Sequence, residues 1–179
     1  MADSRIPKPE AGEHDAYFST YIDRVEEGDL IGDLRSQAGE LTEVCGDLSE
    51  AEGRFRYAPE KWSIKEVLGH LIDTERVFVY RALWFARGES AELPGFDQDD
   101  FVRRADFDRR SLESLVSEFV HVRQSTIDLL ASFREADWGR SGISNEASLS
   151  VRAIGYILVG HVAHHLEILR ERYLKPLGQ

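Results

Sequence analysis

The stretch WSIKEVLGHLIDTERVFVYRALWFARG, residues 62 to 88, decides the fold. Ile64, Val67, Leu68, Leu71, Phe78, Ala82 and Phe85 recur at steps of three and four, so they share one broad face of an α-helix. Ser63 followed by Glu66 is a capping box that predicts where this helix starts. Gly88 predicts where it stops, because glycine accepts the left-handed backbone of a helix end.

Three more segments carry the same period. Leu30, Leu34, Gln37, Leu41, Val44 and Leu48 form one line, and Leu112, Leu115, Phe119, Val122, Thr126, Leu129 and Phe133 form another. Val151, Ile154, Leu158, His161, His165, Ile168 and Arg172 form the third, with Ser148 or Ser150 as its cap and Lys175-Pro176 as its close. Four long amphipathic helices without strand patterns predict an all-α four-helix bundle over residues 15–175, behind a flexible N-terminal segment, 1–14. Within it, DAYFSTYIDRV (15 to 25) reads as a short extra helix that places Tyr17, Phe18, Tyr21, Ile22 and Val25 on one face. Residues 88 to 108 are longer than neighbouring bundle helices need, which predicts a crossover or a functional loop.

The 33 acidic residues against 22 basic ones give a formal net charge of −11. Such a surface repels phosphate backbones and anionic membranes, so no nucleic acid or membrane partner is expected. No run of about 20 apolar residues exists to span a bilayer. Residues 1–15 are polar and show no signal peptide, so the expected location is the cytoplasm. The single cysteine, Cys45, cannot form an internal disulfide and reads as a small core residue.

The segment GHVAHHLEILRERY, 160 to 173, places His161 and His165 four residues apart on the inward seam, between Leu158 and Ile168. That spacing lets two imidazoles hold one divalent ion. His70, on the line of Val67, Thr74 and Val77, is the natural third ligand from a facing helix. A set of hydrogen-bonded core histidines is the alternative. His164 lies off the seam, where it would replace His161 or hydrogen-bond near the site. His121 reads as solvent-exposed, and His14 as part of a polar segment. Asp73 and Glu75 would orient a ligand imidazole, or serve as a solvated surface acid and the partner of a nearby arginine respectively. Asp97, with Asp99 and Asp100, would cover the site, supply a ligand or remain solvated. Arg76, Arg81 and Arg87 read as helix-surface ion-pair partners, with an anionic substrate as the other use.

These residues carry a family likeness. YAPEKWSIKEVLGHLIDTERVF, 57 to 78, resembles the second-helix motif of the DinB-like family, and GHVAHHLEILRERY resembles its last-helix motif. The resemblance implies a four-helix bundle in which His70, His161 and His165 hold a divalent metal, with Zn or Ni expected. It further implies a metal-dependent hydrolase or an S-transferase acting on a low-molecular-weight thiol, a small-molecule substrate, and a homodimer. A metal-binding or stress-response bundle without chemistry, and an interaction module with incidental histidines, are the competing readings.

Overall fold

Each of the four periodic segments folds as a helix that begins on a side-chain cap. In this computed structural model, which describes residues 5–89 and 91–178, α1 is Leu30–Cys45, α2 Ile64–Ala86, α3 Leu112–Ala131 and α4 Val151–Ile168. Asp29, Ser63, Ser111 and Ser150 accept from the first-turn backbone, each such cap contributing about 1 kcal/mol. Ser63 and Glu66 form the expected capping box. Gly88, at φ +85°, ends α2 as expected: its N–H and that of Glu89 donate to the carbonyls of Phe85 and Trp84. Lys175-Pro176 does not close the last helix. The chain continues through a π-helical stretch, Leu169–Leu174, and a turn, Lys175–Leu177, whose first positions tolerate the proline.

Both α1 and α2 pack on α3 and α4, so α1 stands diagonally from α2, and α3 from α4. The crossing connections are therefore residues 46–63 and 132–150. The long connection joins the adjacent helices α2 and α3 and is not a crossover. Part of it is a helix, Gln98–Ala105, whose N-cap is Asp97.

The expectation of no strands is corrected by a small antiparallel hairpin, β1 Ser141–Ser144 and β2 Ala147–Ser150. Its turn residues Asn145 and Glu146 have φ of 54° and 65°, the left-handed pair that tight hairpins require. Four-residue strands are too short to show a period, and Asn-Glu is a weaker turn signal than Asn-Gly. Leu93 docks beside β1, with hydrogen bonds to Ile143 and Asn145.

The core divides into two apolar clusters. One gathers Leu34, Phe78, Phe85, Ile127 and Ile154, the other Leu41, Leu71, Phe119, Val162 and Leu166. On each helix a polar residue falls between them: Gln37, Glu75, Arg123 with Thr126, and His161, all buried. Arg123 Nε donates to Glu75 Oε2 at 3.0 Å and Nη1 to Gln37 Oε1 at 3.2 Å. Gln37 Nε2 donates to the Val159 carbonyl at 2.8 Å, and Thr126 Oγ1 to Glu75 Oε1 at 2.7 Å. Cys45 is fully buried, which pushes its thiol up to about 12, as suits a core residue.

Of the N-terminal segment, residues 1–4 lie outside the described residues. Ile6 pairs with Gly28 and its carbonyl accepts from Tyr156 Oη, while Glu13 ion-pairs with Arg152. The expected extra helix is a 3-10 turn, Ala16–Phe18, running into Ser19–Ile22, which packs on α4. Gly160 permits that contact, since a Cβ there would lie 2.1 Å from the Tyr21 carbonyl oxygen. Gly160→Ala is expected to destabilise the protein by about 1–3 kcal/mol in urea unfolding, because backbone must move. An unchanged midpoint would show that the segment is not seated against α4.

Candidate metal centre

The facing helices bring together the three expected histidines. His70 comes from the second turn of α2, and His161 and His165 come from successive turns of α4. One ligating atom from each lies within 4.8 Å of the others. His70 Nε2 and His161 Nε2 are 2.9 Å apart, a contact that needs one of them protonated and the other not. The His161 and His165 rings are 4.6 Å apart, and those of His70 and His165 5.0 Å.

His70 and His161 are buried and His165 is partly so. Burial pushes His70 down to about 4. It holds His161 and His165 well below the usual imidazole range, helped by repulsion from neighbouring imidazoles. All three are thus neutral near pH 7, the protonation state in which imidazole offers a lone pair. The buried Nδ1 of His165 has no hydrogen-bond partner among the described residues.

The other expected residues sort by their contacts. His164 lies outside the three-histidine group, with its ring edge against Tyr21 at 5.6 Å. His121 is exposed, and His14 Nδ1 meets the Asp15 carbonyl at 2.9 Å. Asp73 is partly buried beside Arg76, and burial raises its carboxyl. Glu75 pairs with Arg123 and touches no imidazole, so neither acid orients a histidine. That role falls to Thr74, whose Oγ1 is 3.3 Å from His70 Nδ1. Thr74 is one turn after His70, a position the sequence shows only once a partner is sought there. Asp97 caps its helix and is outside the group. Arg76 makes the expected surface pair, with Glu118 at 2.6 Å, and Arg87 lies over Phe133. Arg81 departs from that expectation. It is buried and has no carboxylate partner among the described residues.

A cavity of about 420 Å³ opens on His161. Its walls come from the N-terminal segment (Tyr17, Phe18, Tyr21), α2 (Thr74, Phe78, Arg81), the long connection (Phe96, Asp97) and the hairpin (Ser144, Asn145). A smaller one, about 210 Å³, reaches His165 from the side of Tyr57, Trp62 and Asp99. Tyr21 packs edge-on against His161 at 5.2 Å, and its hydroxyl is 3.2 Å from that of Tyr17. Burial pushes the Tyr21 phenol above its ordinary range, so it stays protonated. The sequence marked Tyr21 only as a packing residue.

Among the solved structures similar to this chain are two of known description. YfiT from Bacillus subtilis is described as "a probable metal-dependent hydrolase with an unusual four-helix bundle topology". It shares 15% identity at a TM-score of 0.72, with 95% of this chain and 97% of that one covered. The mycothiol-dependent maleylpyruvate isomerase shares 11% identity at a TM-score of 0.66 over 82% of this chain, which spans 61% of the isomerase. At these identities the likeness shows the fold alone. No curated protein sequence matches the chain. Residues 33–169, which carry the three histidines and all four helices but for the first three residues of α1, match the DinB superfamily, and the chain belongs to that superfamily.

Proposed function

We propose that this protein is a metal-dependent enzyme whose divalent ion is held by His70, His161 and His165, acting as a hydrolase or as an S-transferase on a low-molecular-weight thiol. One observation carries the reading: three neutral imidazoles from two helices converge within 4.8 Å, and one of them keeps a buried nitrogen without a partner. Ordinary core histidines satisfy their nitrogens. The donor set fits Zn²⁺ or Ni²⁺, both of which accept imidazole. The described metal dependence of YfiT supports hydrolysis, and the mycothiol dependence of the isomerase supports thiol transfer.

A divalent ion on three neutral ligands keeps its full charge and supplies Lewis acidity that lowers the pKa of a bound water or thiol. The protein's own groups do the rest. Thr74 Oγ1, accepting from His70 Nδ1–H, would fix the tautomer that turns the Nε2 lone pair toward the cluster. Phe18, Phe78 and Phe96 give the cavity an apolar wall. Tyr21, kept protonated by burial, can donate a proton or hydrogen bond to a reacting group there. The open cavity at His161 favours an enzyme over a purely structural metal site, which closes its coordination.

Elemental analysis of tag-free protein is the test. The wild type is expected to carry about one ion per chain after incubation with Zn²⁺ or Ni²⁺, and His161→Ala essentially none. A wild type that takes up neither metal would end this reading and leave the histidines as core residues.

A further inference from the structure

The same cavity holds a cation that the reading above does not use. Arg81 lies two turns after Thr74 on α2, and both line the cavity with His161. Its residue is 5% exposed. Among the described residues the guanidinium makes one hydrogen bond, to the Pro94 carbonyl at 2.9 Å. Phe78 and Phe96 lie against it at 4.9 and 5.9 Å. No described carboxylate ion-pairs with it. The other buried arginine, Arg123, by contrast has Glu75 at 2.8 Å. An unpaired buried charge is costly, and its desolvation pushes the Arg81 pKa down, yet arginine stays protonated at neutral pH. A second unpartnered polar group lies at the cavity wall: Ser144, a lining residue also 5% exposed, has a buried Oγ with no hydrogen bond among the described residues.

We propose that this cavity binds a small apolar monocarboxylate, its carboxylate held by Arg81 and Ser144 and its body directed toward His161. The planar guanidinium fork matches a carboxylate, and the two phenyl rings leave its N–H edge for the ligand. Phe18, Phe78, Phe96, Leu149 and Ile157 supply an apolar wall. Asp15 and Asp97 also line the cavity, but both are exposed, and each commits an oxygen to a backbone N–H, of Tyr17 and Asp100 respectively. Their charges oppose a second anionic group on the ligand, which favours a monocarboxylate over a dicarboxylate. The role of this molecule as substrate rests on the metal reading; its binding does not.

The test is calorimetric titration of full-length protein, metal-free and zinc-loaded, with benzoate, its neutral isostere benzamide, and inorganic phosphate. Benzoate is expected to bind both forms at least about tenfold more tightly than benzamide or phosphate. Arg81→Met should weaken benzoate at least about tenfold and leave benzamide within about twofold, with Arg81→Lys between. Ser144→Ala should weaken benzoate by about threefold or more, and it keeps the test valid if an Arg81 variant fails to fold. Equal affinity for benzoate and benzamide, phosphate binding as tight as benzoate, or benzoate binding that needs zinc and ignores Arg81→Met would each overturn the proposal. Benzoate binding retained in protein that takes up no metal supports the carboxylate site while overturning the metal reading.

Discussion

Arg123→Met alone is expected to cost about 3–5 kcal/mol of folding free energy, read from urea unfolding. Arg123 is fully buried and ion-pairs with Glu75, which is 2% exposed. Removing the guanidinium leaves a carboxylate in the middle of the bundle with Thr126 as its remaining partner, and it strips Gln37 Oε1 of its donor. Two apolar clusters flank this layer, so water cannot reach the stranded charge without opening the core. The double change Glu75→Leu with Arg123→Met is expected to recover most of the loss. Replacing a buried pair by apolar side chains is often neutral, whereas halving it is not. Thr126 keeps a partner in that variant, the Val122 carbonyl at 3.0 Å. If the double variant is no more stable than the single one, the pair is not the reason the layer matters.

Acid should destabilise the metal-free protein from about pH 6.5 downward, with His70 alone responsible for up to about 3 kcal/mol. The sign follows from burial. His70 is pushed down to about 4 in the folded protein, whereas it takes up a proton near 6.5 once unfolded. Between those values the unfolded chain binds a proton that the folded chain does not, so stability falls as pH falls. The contribution is fully present above 6.5 and is lost by about 4. His161 and His165 shift in the same direction and steepen the loss. Thermal unfolding of metal-free protein between pH 7.5 and 4 measures it. His70→Gln should flatten the slope, because an amide does not titrate. A wild-type midpoint independent of pH across this window would mean that the imidazoles are not buried neutral.

The bundle was legible because helix periods are local and long. Ser63 with Glu66, Gly88 at the end of α2, and the lines through Leu34 and Phe119 each belong to one segment; all stand as expected except that Leu48 and Phe133 lie beyond the ends of their helices. The pairing of His161 with His165 was legible for the same reason, since i and i+4 meet on any helix. The hairpin was not legible, because two four-residue strands have no period to read and their pairing depends on Leu93 from a distant segment. The helix Gln98–Ala105 shows no apolar period in the sequence, because its acidic, capped segment buries one apolar residue, Val102.

What the sequence by itself determined is the four long helices, their inward faces, and the histidines that lie on them. Those properties follow from backbone geometry repeated every few residues, which needs no partner. Only the tertiary structure decided which helices are neighbours, that α1 and α2 stand diagonally, and that His70 reaches His161 at 2.9 Å. It also decided the meaning of the arginines. Arg76, Arg81 and Arg123 are alike as letters on a helix, yet one is a surface pair, one lines a cavity with no described carboxylate paired to it, and one crosses the core to Glu75. A charge takes its function from what lies across the gap, and that is set by packing between segments far apart in the chain.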